Sequence, residues 1–253
     1  MRYSLRAMAV SLWLTVGTAY AESPVQAVDA MRHARLSEGF EARMNVFVIA
    51  PDGRRAMPMK IAVIGQMREN RQRLLVRGLS PESVRDRVVI AERNASGRIQ
   101  SYSYAGRFDG AAKSVDPFSR IFGSGLVLWD LFTPWWDWPL QAVVTGKSAG
   151  DHACIWVSSQ TKEAASATIR TVESCVEAKA VLAWQTRLLN AQRELVREIK
   201  VSSAVRRSVG TGLAAKKLSI VEANKTVTEI EVYAGDEEYV ISPEMFAPLE
   251  REH

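Results

Sequence analysis

The rhythm of apolar and polar positions divides the chain into stretches of different character. Between Pro24 and Leu36, the apolar residues Val25, Val28, Ala30/Met31 and Leu36 recur near the helical period. Ser23 is placed as N-cap and Pro24 at the first helical position, and Ser37-Glu38-Gly39 closes the helix. From Phe40 the rhythm is that of strands. Phe40–Ile49 is rich in β-formers, and Pro51-Asp52-Gly53 makes a turn. Met57, Met59, Ile61 and Val63 then alternate with Ala56, Pro58, Lys60 and Ala62, the period of a strand buried on one face. Pro58 sets that strand at an edge, or marks its start. Arg71–Leu79, Asp86–Glu92 and Arg98–Tyr104 extend the meander, the last two joined by a turn at Asn94–Gly97.

Phe118–Pro139 breaks the pattern and holds four of the seven tryptophans. Leu126–Phe132 is apolar all round, which predicts a buried helix ended at Pro134. Trp135, Trp136 and Trp138 then fall in a loop. Tryptophan suits an apolar–wet boundary, so the loop is expected to rim a cavity or touch a membrane; the alternative is packing against the sheet. Past Pro139 the strands resume as Leu140–Thr145, His152–Ser159, Thr168–Val176, Val181–Leu189, Glu194–Ser202, Ala214–Glu222 and Thr226–Val232, with Asn190 and Asn224 in turns. Ser242–Phe246 reads as a short helical turn, and Glu250–His253 as a polar tail. The class is α+β: about 11 antiparallel strands, wet on one face, with helices covering the other. Residues 22–253 read as one domain, with no linker between halves.

The first residues change the setting. Arg2 and Arg6 precede the apolar run Ala7–Val16, and Ala19-Tyr20-Ala21 supplies a small-x-small site. This is a secretory signal peptide, residues 1–21, with cleavage expected after Ala21. The run is shorter than the roughly 18 residues a membrane span needs. No cysteine sits at the cleavage point, so the mature chain is expected in the periplasm without a lipid anchor. The formal charge of +5, two units lower without the leader, is spread along the chain and gives no reason to invoke nucleic acid. In an oxidising compartment Cys154 and Cys175 can pair. A hairpin centred between Ala164 and Ala165 would set them directly opposite each other, within disulfide reach.

Candidate chemistry is sparse. His33, His152 and His253 are scattered and form no metal-ligand spacing. Gly123-Ser124-Gly125 is not a nucleophile elbow, and there is no phosphate loop or dinucleotide fingerprint. Asp130 and Asp137 are separated by Pro134 and make a poor acid–base pair. These residues give no enzyme, cofactor or metal, and binding becomes the default class. A sheet covered by helices can leave an apolar cavity between its layers. Met44, Met57, Met59 and Met67 would suit a cavity adapting to variable acyl chains, or would simply fill a core.

Phe122-Gly123-Ser124, Asp130-Leu131, Ala215-Lys216-Lys217-Leu218 with Asn224 and Thr226, and Ile241-Ser242 with Phe246 and Leu249 follow one another from about Met31 to Leu249. In that order the chain resembles the outer-membrane lipoprotein-sorting family, similar to LolA/LolB-type periplasmic carriers. Gly125 stands where the family commonly has aspartate, and Leu213 and Ala214 where a bulky aromatic is usual. The resemblance implies an incomplete, strongly curved antiparallel β-barrel with helices covering the open side, and acyl chains of lipoproteins or lipids held between them. The expected cavity wall is Met44, Val46, Met57, Met59 and Ile61 from the strands, with Leu128, Trp129, Phe132, Trp135 and Trp136 from the central stretch. Expected partners are the lipid or lipoprotein cargo, an inner-membrane transporter or exporter, and transient membrane contact on the way to the outer membrane. A second reading on the same fold is an envelope-stress sensor or scaffold of the RseB type, acting through a protein partner.

Overall fold

A computed structural model describes residues 23–106, 111–145, 152–161, 168–210 and 212–251. The expected leader with its cleavage site after Ala21, the hairpin centre at Ala164–Ala165, and His253 lie outside the described residues. Helix α1, Pro24–Ala34, begins with the expected cap: the Ser23 side chain accepts from the Gln26 N–H, and the Gln26 side chain accepts from the Ser23 N–H. Five strands follow as a meander: β1 Ser37–Ile49, β2 Met59–Met67, β3 Arg71–Ser80, β4 Val88–Asn94 and β5 Ile99–Tyr104. A two-residue strand, β6 Lys113–Ser114, ends this half. The second half contains β7 Leu140–Val143, β8 Ile155–Gln160, β9 Thr171–Glu177, β10 Leu182–Leu189, β11 Leu195–Arg206, β12 Leu213–Glu222 and β13 Val227–Asp236.

All thirteen strands join one antiparallel sheet in the order β6-β5-β4-β3-β2-β1-β13-β12-β11-β10-β9-β8-β7. Each half is a simple meander, and the long strands β1 and β13 pair to fuse the halves. The sheet does not close, so β6 and β7 are its two edges. Register shifts at Arg43/Met44, Lys60/Ile61, Leu188/Leu189 and Val201/Ser203 are bulges, which bend strands and increase twist. The expected half-barrel is present, with thirteen strands rather than about 11; the short β6 gives too little pattern to be seen.

This topology dictates where the tryptophan stretch runs. It connects β6 to β7 and therefore spans from one edge of the sheet to the other. It does so across the inner face, together with α1. Ile121, Leu126, Leu128 and Phe132 pack on Met44, Val46, Met59, Ile61, Val63 and Leu74 of β1–β3. Trp129, Trp135, Trp136 and Trp138 pack with Ala27 and Val28 of α1 on Val157, Val172, Val176 and Leu188 of β8–β10. On the outer face, Phe246 and Leu249 cover Ile64, Leu75, Val88 and Ile90. They sit in a 3-10 turn, Pro243–Phe246, that continues into a final helix, Ala247–Arg251.

Three local expectations need correction. The central helix, α2, is only Leu128–Phe132. Leu126 cannot start it, because its carbonyl accepts from the Ile121 N–H (2.8 Å) and its own N–H faces the Ser124 hydroxyl (3.3 Å). Met57 lies ahead of β2 and stands 71% exposed, so it does not share the buried face of Met59 and Ile61. The β8–β9 register sets Trp156, not Cys154, opposite Cys175. Cys154 lies just before β8 and still forms the disulfide, with Cα atoms 5.4 Å apart.

Candidate ligand-binding site

Nine of the ten residues expected to line a cavity lie between sheet and crossover, and each is at most 8% exposed. Met44, Val46, Met59, Ile61, Leu128 and Phe132 belong to one packed cluster, and Trp129, Trp135 and Trp136 to another. The rings pack on one another: Trp129 stacks on Phe118 at 5.2 Å and meets Trp135 at 5.2 Å and Trp138 at 6.1 Å in tilted contacts. Met57 is the exception already described. Of the ten, Leu128 borders a cleft beside β4 and β5, and Trp129 borders one between Arg93, Phe118 and Trp138.

Charged groups stitch the crossover in place. Asp137, which follows the Trp135–Trp136 pair, receives Arg35 Nη2 at 2.6 and 2.7 Å and Arg93 Nη1 at 2.7 Å. Arg32 Nε lies 3.3 Å away, and its Nη2 donates to the Trp136 carbonyl. Burial alone would raise the Asp137 carboxyl, but Arg35 and then Arg93 outweigh it and hold it below the ordinary value. Asp130 has the opposite balance. It is buried against Arg197 of β11, its Oδ1 has no partner, and burial pushes it up to about 6 despite that arginine. These arginines are 44 to 105 residues away from their partners in sequence, so no local motif announced them. The Ser124 hydroxyl donates to the Ile121 carbonyl (2.7 Å) inside a closed loop, a structural role. Gly125 beside it donates its N–H to Thr228 Oγ1, and any Cβ there would meet that oxygen at 2.8 Å. A larger residue in place of Gly125 would therefore force Thr228 to shift. Among the described residues no group of three His, Cys, Asp or Glu could hold a metal ion.

One open apolar cleft lies at the end of the half-barrel beyond the C-terminus of α1. It has a volume of about 490 Å³ and is bounded by Phe40, Ala42, Val205, Ala214, Val232 and Ala234, with Arg35, Lys216 and Glu237 on its rim. Its volume falls in the range of small-molecule sites. Phe40 and Ala42 share the inner face with Met44 and Val46, so the cleft floor runs directly into the packed core. Phe40 itself lies over Gly65, where a Cβ would come within 2.4 Å of its ring. Small residues border this end of the half-barrel: Ala42, Ala214, Ala215 and Ala234. Hydrophobic patterning weights large side chains and passes over such alanines. Ala214 was visible as a departure from the family's aromatic, and that was the available signal.

No family model and no curated protein matches the chain. Solved structures do. A putative outer membrane lipoprotein-sorting protein domain from Vibrio parahaemolyticus superposes with a TM-score of 0.75 at 9% identity, covering 90% of this chain and 98% of that one. A DUF1329 family protein from Desulfovibrio piger gives 0.76 at 12% identity, covering 88% and 95%. A LolA superfamily protein from Nitrosomonas europaea gives 0.68 at 12% identity, covering 89% and 97%. At such identities the likeness establishes the architecture: an open antiparallel half-barrel bridged on its inner face by a helical crossover. The chain has the LolA-like fold.

Proposed function

We propose that the chain is a periplasmic carrier that holds acyl chains of lipids or lipoproteins on the inner face of its half-barrel, for transport toward the outer membrane. The observation that carries this is the apolar cleft at Phe40 and Ala42, open to solvent at its mouth and continuous with the core at its floor. Each methylene transferred from water into such a surface contributes about 0.8 kcal/mol, enough for a chain of ordinary length to be retained. The charged rim suits a head group that remains in water. The LolA-like fold and the lipoprotein-sorting description of the Vibrio neighbour support the same class of cargo. The Cys154–Cys175 disulfide agrees with an oxidising compartment, and the N-terminal residues read as an export signal. On this reading an inner-membrane transporter or exporter loads the carrier.

The cleft can be filled from within. Ala42→Trp and Ala214→Trp place an indole in the space that the acyl chain would take. Each is expected to lower the affinity for a fluorescent acyl probe about tenfold or more, while the melting temperature stays within a few degrees. Unchanged uptake in both folded variants would remove the cleft from the binding path.

A further inference from the structure

A second cleft, of about 500 Å³, lies where β4 begins and β5 ends, against the first part of the crossover. It is built from different strands than the Phe40 cleft and shares no lining residue with it. Its floor is apolar: Val89, Val115, Ile121 and Leu128. Two cations stand on its walls. Arg87 comes from the turn before β4, and its position is fixed by backbone bonds, with its N–H to the Val84 carbonyl and its carbonyl accepting from Gly78. Its guanidinium lies 5.6 Å from the centroid of the Phe122 ring. Lys113 comes from β6, opposite Ser103 of β5. Both side chains are exposed, and no carboxylate among the described residues pairs with either of them. Arg120, by contrast, is engaged with Glu222 (2.6 Å). The one acidic lining residue, Asp116, already accepts from the Phe118 N–H.

An apolar floor beneath two cations that no carboxylate among the described residues pairs with is complementary to one chemical class: a single apolar chain ending in an anionic head. We propose that this cleft is a separate site for an anionic amphiphile, with a carboxylate or phosphate head between Arg87 and Lys113 and a tail against Ile121 and Leu128. The charges supply affinity for the head and the floor supplies affinity for the tail, so an uncharged chain of the same length binds here more weakly. A site of this size takes a small molecule rather than a macromolecular surface.

Calorimetric titration of the disulfide-bonded chain with dodecanoate, dodecyl phosphate and dodecanol tests this. Ala42→Trp, which fills the Phe40 cleft, should retain one binding event for the two anions. In that background, Arg87→Gln with Lys113→Gln should weaken the retained event about tenfold for the anions and leave dodecanol unchanged. Both substituted residues are exposed, so folding is not at risk, and Ser119→Trp provides an independent block by bulk. Preference for dodecanoate over dodecyl phosphate, or the reverse, assigns the head group. Loss of all binding in Ala42→Trp, or full anion affinity in the Arg87/Lys113 variant, would overturn the second site. Binding that survives Ala42→Trp unaltered in number and is lost with Arg87 and Lys113 would keep this site and remove the Phe40 reading instead.

Discussion

Asp130 and Asp137 belong to the same crossover, yet the fold acts on them in opposite directions. The Asp137 carboxyl is held low by arginines, so its contribution to stability is present above the unfolded value near 3.8 and is lost only as pH falls below it. Asp130 sits near 6 in the folded chain against 3.8 unfolded, because burial outweighs Arg197. The folded chain therefore binds the Asp130 proton more tightly between those values. Its contribution is full below about pH 4 and is lost as pH rises through about 6, on the order of 3 kcal/mol at most. Urea unfolding at pH 4.5 and 7.5 measures this. Asp130→Asn should lose more stability relative to the parent at pH 4.5 than at pH 7.5, and a pH-independent difference would show that Arg197 keeps Asp130 fully ionised. Both aspartates were evident in the sequence as isolated carboxylates. Their partners were not, because Arg93 and Arg197 come from strands that only the folded sheet brings to the crossover.

The crossover is where the sequence reading and the structure part most. Trp135 and Trp136 follow a proline and read from the sequence as a loop, either at a cavity rim or membrane surface or packed against the sheet. The structure takes the second course: both lie in a 3-10 turn, Pro134–Asp137, and are among the least exposed side chains, each at 2%. Local pattern shows only that the helix stops; it does not show that the chain must travel from one sheet edge to the other over the inner face. A buried indole in this position is core. Trp136→Ser should cost about 3–5 kcal/mol, a fall of roughly 10 °C in melting temperature, with acyl-probe binding by the folded fraction unchanged. An unchanged melting temperature with weakened membrane binding would return these residues to the surface role. The strands, by contrast, were legible almost throughout, since alternation and turn residues are local signals; all seven expected after Pro139 are present. Met57 failed because Pro58 ends the alternation one residue ahead of Met59, where β2 starts.

At the scale of the molecule, the resemblance supplied what periodicity could not. Nothing local announces that β1 pairs with β13, some 190 residues later, although that pairing turns two meanders into one half-barrel. The disulfide was legible from spacing, even though the register that carries it is offset by two residues. Most of the large residues expected to wall a cavity pack in the core, and the cleft proposed here to hold an acyl chain is bordered by alanines at one end of the half-barrel. The central claim is that an acyl chain occupies that end. The most direct measurement is a titration of alanine-methyl-labelled protein with lysophosphatidylcholine, a zwitterionic single-chain lipid, followed by NMR. The account predicts saturable shifts at Ala42, Ala214, Ala215 and Ala234, with Ala142 and Ala223 at the far edge and the opposite turn unmoved. Shifts absent at saturating lipid, or spread evenly over all alanines, would contradict it.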